Sequence, residues 1–249
     1  MNHRALSRSL TLLGLIALSS VASAQTDRDA APPPLAGPLA SWRARHGESW
    51  QIVVDPETGF AKMIFGGRRA ADSRPHDDAA FLDLARGALA ESAPLHGIDP
   101  ASLVAECALF LPLGQIGSTD KVTVRLRQSF GGVPVVGGYA NVLFDVEGRM
   151  LSVQTTGLPS LSRMDTTPSI EGTRAQRRAA DAFHADAGVA ATRLSEPELV
   201  IAQVERLKGR QGVLAWQVDA VAELQDAVPE GFTYSVSYTH LTLPTNREV

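Results

Sequence analysis

Residues 122–159 constrain the fold of this chain most tightly. Val122, Val124, Leu126 and Phe130 fall on alternate positions, with Thr123, Arg125, Arg127 and Ser129 between them. A period of two predicts a β-strand with one buried and one wetted face. Gly131-Gly132 follows, a pair suited to the positive φ angles of a tight hairpin turn. A second run carries Ala140, Val142, Phe144 and Val146 on one face. Glu147-Gly148 makes another turn, and a third run carries Met150, Leu151 and Val153. The pattern predicts an antiparallel meander.

Gln128 stands in the apolar column of the first strand, where a Val or Leu would fit the alternation. A buried amide without partners costs about 1–3 kcal/mol. Two readings follow: a side chain bonded to neighbouring backbone, or a contact to another chain.

These residues also carry a resemblance. R-x-R-Q-x-F-x-G-V-P-V-x-G-G, followed by D-x-x-G and a further strand, is similar to the fungalysin/thermolysin propeptide (FTP) domain, which precedes the catalytic domain of secreted zinc endopeptidases. The similarity covers residues 49–159, and residues 160–234 resemble a PepSY module, cut short. The motif with both flanking strands is moderately specific; G-V-P-V alone is weak. Motif positions matched here are Arg127, Gln128, Gly131, Gly132, Val133, Pro134, Gly137 and Gly148. Most of them are expected to build turns. Arg125, Arg127 and Gln128 are the candidate contacts to a protease.

The remaining chain fits an exported α+β protein of two small domains. Residues 1–24 read as a signal peptide: Arg4 and Arg8, a short apolar run over 10–21, and Ala22-Ser23-Ala24 before Gln25. Cleavage is expected between Ala24 and Gln25. The run is shorter than the roughly 20 residues a membrane span needs, so the mature protein is expected to be secreted or periplasmic, with no membrane attachment after cleavage. Residues 25–48 hold Pro32-Pro33-Pro34 and are expected to be an extended, mobile linker. Residues 50–65 read as a hairpin with P-E-T-G at its turn. Residues 77–93 read as a helix, capped by Asp77 or Asp78 and stopped by Pro94 and Gly97. Its stripe of Phe81, Leu82, Ala85, Ala88 and Leu89 is expected to lie across the sheet. Residues 103–113 read as a strand. After a polar connection at 159–168, Ser169 is a candidate cap for a second helix, on which Arg174, Arg177 and Arg178 form either a solvated face or a surface for an acidic partner. Residues 199–204 and 213–221 then read as a hairpin.

The last stretch departs from this pattern. Residues 236–245, V-S-Y-T-H-L-T-L-P-T, back-translate to codons that resemble an adapter used in transposon-based sequencing libraries. Residues 235–249 are therefore expected to be adapter-derived, and the natural reading frame to continue differently.

Composition and motifs exclude several classes of chemistry. A net charge of −4 gives a nucleic-acid partner no electrostatic support. Cys107 is the sole cysteine, so no internal disulfide can form; it sits in an apolar run and reads as a buried, inert thiol. No H-E-x-x-H is present, and no two of His3, His46, His76, His96, His184 and His240 stand at ligand spacing. Gly131-Gly132 and Gly137-Gly138 lack the lysine and the strand–helix setting of a phosphate loop. The expected reading is thus no enzyme and no cofactor in this chain.

The resemblance implies the propeptide of a zinc metalloendopeptidase, an intramolecular chaperone and inhibitor whose partner is the cognate catalytic domain in cis. Zinc, with calcium as a second candidate ion, would belong to that catalytic domain. The alternative is a free-standing periplasmic binding or inhibitor module.

Overall fold

The computed structural model describes residues 33–71, 73–159, 161, 164–206, 209–222, 230–236 and 243–246. The expected signal peptide and the expected Ala24–Gln25 cleavage site lie outside the described residues. The fold is α+β: three helices pack on one continuous, mostly antiparallel sheet of eleven strands among those residues.

The first half of the sheet contains β1 (Gln51–Val54), β2 (Ala61–Arg69), β3 (Leu103–Leu111), β4 (Lys121–Phe130), β5 (Val133–Asp145) and β6 (Met150–Thr155), side by side in the order β1-β2-β6-β5-β4-β3. Strands β3 to β6 are consecutive antiparallel neighbours, the meander that the alternation predicts. Gly131 and Gly132 turn the chain between β4 and β5 with φ of 58° and 82°, as expected of a two-residue hairpin loop. At the β5–β6 turn, the Asp145 carboxylate accepts from the Glu147 and Arg149 backbone N–H groups, while Gly148 takes φ of 82°.

Helix α2 (Asp78–His96) seals the inner face of this half-sheet. Asp77 caps it, accepting from the Ala80 N–H at 2.8 Å. Phe81, Ala85, Ala88, Leu89 and Leu95 of the helix are buried with Val122, Val124, Leu126, Ala140, Val142, Phe144, Met150 and Val153 of the strands. Pro94 does not stop the helix. It removes one helical N–H, but Leu95 and His96 beyond it are buried, and Gly97 ends the helix in the left-handed region, donating to the Ala93 carbonyl at 2.8 Å.

The expected extended linker is corrected more sharply. Residues Pro33–His46 form helix α1. Prolines at the helix start cost little, because first-turn N–H groups have no helical partner. Pro38, further in, costs up to about 3 kcal/mol. Against that, Leu35, Leu39 and Trp42 fall on one helical stripe and are buried, each contributing about 1.5–3 kcal/mol. Burial outweighs the proline penalty. The Trp42 ring meets Trp50 edge-on at 5.5 Å.

The second half holds α3 (Gly172–Ala187) with β7 (Arg193–Leu194), β8 (Glu198–Arg206), β9 (Gly209–Ala222), β10 (Glu230–Val236) and β11 (Leu243–Asn246). Ala175, Ala179 and Phe183 of α3 are buried against Val218, Ala220, Ala222, Tyr234 and Val236. Glu171, not Ser169, is the capping position of α3, and its side chain makes no capping bond. Ser235 and Val236 of the adapter-like stretch complete β10, with Val236 buried opposite Trp216, and β11 pairs antiparallel with β10. A ladder is built from backbone groups that nearly every residue supplies, whatever its codons came from; Pro244 of β11, opposite Tyr234, lacks only the N–H. The other residues of 235–249 lie outside the described residues.

Strand β5 belongs to both halves. Its Val135 pairs in parallel with Ile201 of β8, which makes the sheet continuous. Among the described residues, no helix is long and apolar enough to cross a membrane.

Candidate functional site

Cross-strand register defines the outer face of the first half-sheet. Gln51 and Val53 stand beside Phe65 and Met63, which stand beside Ser152 and Gln154, then Leu143 and Asn141. Thr123, Arg125 and Arg127 follow on β4, with Tyr139 opposite Arg127, and Leu109, Cys107 and Val104 complete the face on β3. Every one of these side chains is exposed or half-buried, whereas the inner-face neighbours Ile64, Val122, Val124, Leu126, Val142, Phe144 and Val153 of the middle strands are buried. On the outlying β1 and β3, Ile52 and Ala108 are half-buried and Phe110 is exposed. No helix of the described residues covers this surface. It interleaves aliphatic and aromatic side chains with two arginines, the mixture typical of protein interfaces.

Arg125 and Arg127 lie on this face, as their alternation implies. The Arg125 guanidinium carbon sits 3.7 Å from the centroid of the Tyr139 ring, a cation–π stack. Its Nε lies 3.2 Å from Glu106, close enough for charge attraction though not aligned as a hydrogen bond. The arginine is thereby held flat on the sheet. Arg127, one residue pair along, is exposed.

Gln128 is not on this face, which removes it from the candidate contacts. It is 1% exposed. Its amide nitrogen donates to the Leu158 carbonyl at 2.8 Å, and its amide oxygen accepts from the Leu158 N–H at 2.7 Å. The side chain thus imitates a strand neighbour for Leu158, leaving that backbone satisfied where no strand reaches it. A glutamine matches both backbone groups at once; an aliphatic residue would leave both orphaned.

The G-V-P-V-x-G-G segment does more than turn the chain. Val133 and Val135 are buried with Leu158 and Ile201 in a small core between the two halves. Pro134 pairs with Ser129 at the end of β4, where the missing proline N–H breaks no ladder further in. Gly137 adopts φ of 68°, and its carbonyl accepts from the Thr156 hydroxyl at 2.6 Å. The Gln203 amide donates to the carbonyls of Val136 and Thr156 at 2.9 and 3.1 Å. A second tie lies elsewhere: Arg210 reaches Glu57 at 2.7 Å, across from the β1–β2 turn. The motif therefore builds the joint that holds both halves.

Sequence reasoning missed Tyr139, Leu143, Leu109 and Val104 as members of the outer face, and Leu158, Ile201 and Gln203 as members of the joint. Alternation out of phase with Ala140, Val142 and Phe144 was a usable signal for Tyr139 and Leu143. No local signal marks Gln203, whose partners lie 47 and 67 residues away. Cys107, expected to be buried, is half-buried on the open face.

Titratable groups are occupied with structure. Glu91 of α2 receives Arg69 Nε, Arg45 Nη1 and His46 Nε2, each at 2.8 Å, which ties α1 and β2 to α2. Burial works to raise its pKa, but the bonds from Arg69 and His46 and their charges prevail and hold it below the ordinary carboxylate value. His96 is enclosed between the Leu89 carbonyl and the Ile98 N–H, at 3.1 Å each; burial pushes its pKa down to about 4 despite the bond to Leu89. Nδ1 accepts from Ile98, so Nε2 carries the proton and donates to Leu89. Among the described residues, no group of three or more His, Cys, Asp and Glu side chains is placed to hold a metal. No family model matches the chain, and no curated protein matches it in sequence.

Proposed function

We propose that this chain is the N-terminal propeptide of an exported zinc metalloendopeptidase, chaperoning and inhibiting its catalytic domain in cis. The uncovered outer face is the observation that carries the reading. A six-stranded half-sheet with one face sealed by α2 presents Arg125, Arg127, Tyr139, Leu143 and Leu109 on the other. The two arginines of the propeptide-like motif thus stand where a partner can reach them, while the glutamine and glycines of the same motif hold the scaffold rigid. A docked catalytic domain would be stabilised by mass action, strongly so when tethered in one chain.

Adding the full chain to its cognate mature zinc endopeptidase, produced without a propeptide, tests this. Peptide hydrolysis is expected to slow, and the refolding yield of the protease to rise. Replacing Arg125 and Arg127 together by Glu is expected to weaken inhibition tenfold or more, with the fold retained by circular dichroism. Hydrolysis and refolding that ignore the wild-type chain would sink the proposal.

A further inference from the structure

Strand β3 forms one edge of the first half-sheet. Its backbone pairs with β4 on one side and with no strand of the described residues on the other. Long edge strands are usually blunted by charge, proline or a bulge, since their free N–H and C=O groups template further pairing. In β3 such protection is confined to the first half. The register shifts between Ala105 and Cys107, and the charged Glu106 stands at that irregularity. The second half, Cys107-Ala108-Leu109-Phe110-Leu111, contains neither charge nor proline. Leu109 is 51% exposed and Phe110 is 59% exposed, although they point to opposite faces.

We infer that residues 107–111 pair antiparallel with the same residues of a second copy of the chain, about a two-fold axis through Leu109. Side-chain phase requires an axis through a residue, and Leu109 is the centre of the uncharged stretch. Cys107 and Leu109 share the outer face with Arg125 and Thr123, while Ala108 and Phe110 share the inner face with Val124 and Val122. Directly opposed residues of an antiparallel pair point to the same face. Setting Leu109 against its own copy meets that condition along the whole stretch. It places Ala108 opposite Phe110, small against large, and Cys107 opposite Leu111. Like charges facing one another are the usual obstacle to a strand pairing with itself, and this stretch has none. A charged peptide, by contrast, would find no counter-charge along it. The axis runs perpendicular to the sheet, so the outer faces of the two copies join into one surface. The inference does not rest on the propeptide reading.

Sedimentation velocity on the full chain, from about 1 to about 200 µM, is the test, because an interface this small associates weakly. The dimer fraction is expected to rise across that range. Leu109→Lys sets two ammonium groups against each other at the axis and is expected to weaken association at least tenfold. Ile116→Lys, at a side chain 79% exposed and outside the strand, is expected to leave it unchanged. Circular dichroism confirms that both variants fold. Hydrogen exchange locates the contact: amides in 107–111 should gain protection with concentration. A chain that stays monomeric throughout, a dimer that survives Leu109→Lys, or protection gained away from β3 while β3 gains none would each overturn the inference.

Discussion

The two faces of the meander are made by the same strands and differ in everything else. Phe144 is fully buried and packs its ring on Phe81 of α2 at 5.8 Å. Its chain neighbour Leu143 points the other way and is half-buried at most. Val124 and Leu126 lie under α2, and Arg125 between them lies flat on Tyr139. The inner face supplies the apolar burial that dominates folding. The outer face mixes apolar with polar and charged side chains and leaves them exposed or half-buried, where they contribute less to stability. Residues kept there are free to serve association, and the difference between the faces separates what holds this protein together from what it offers to others.

Phe144→Ala probes the sealed face and carries the largest expected effect. It removes a ring from a packed core and should cost about 3–5 kcal/mol in denaturant unfolding. A loss below about 1 kcal/mol would mean that the inner face is not the core. Acid probes the same face next. His96 is neutral in the folded protein, its pKa depressed from 6.5 to about 4. The unfolded chain therefore binds the proton first. This contribution to stability is fully present above pH 6.5 and is lost progressively as pH falls toward 4, by about 3 kcal/mol in all. Unfolding free energies measured across that window should show the slope in the wild type, and His96→Gln should lack that part of it. Arg127→Ala probes the open face and carries the smallest effect, within about 0.5 kcal/mol. A large loss of stability at Arg127 would erase the distinction between the faces.

The legible parts of the fold were those in which local pattern and tertiary outcome coincide. Alternation across residues 122–153 located β4, β5 and β6, and the glycine pair located their turn. Asp77 announced the start of α2. Helix α1 was obscured because three prolines in its neighbourhood speak locally against a helix, while Leu35, Leu39 and Trp42 speak for it only once a core exists to receive them. Pro94 misled in the same way, since Leu95 and His96 are held by burial beyond it. At the candidate site, Arg125 and Arg127 were placed by phase alone. Gln128 could be flagged as anomalous but not assigned, because its partner Leu158 lies 30 residues on.

The sequence by itself determined the α+β class, the meander and its turns, and the sidedness of β4 and β5. These depend on periods of two and on backbone conformations that glycine alone adopts freely, both of which are properties of neighbouring residues. Only the tertiary structure decided that the meander and the second half share β5, that Gln128 and Gln203 satisfy backbone across the joint, and that α1 belongs to the core. It also decided which face is left open, because α2 covers one side of the sheet and nothing among the described residues covers the other. Each of these turns on pairings between residues far apart in the chain. Such pairings are fixed by burial and hydrogen-bond satisfaction, which no local window of sequence contains.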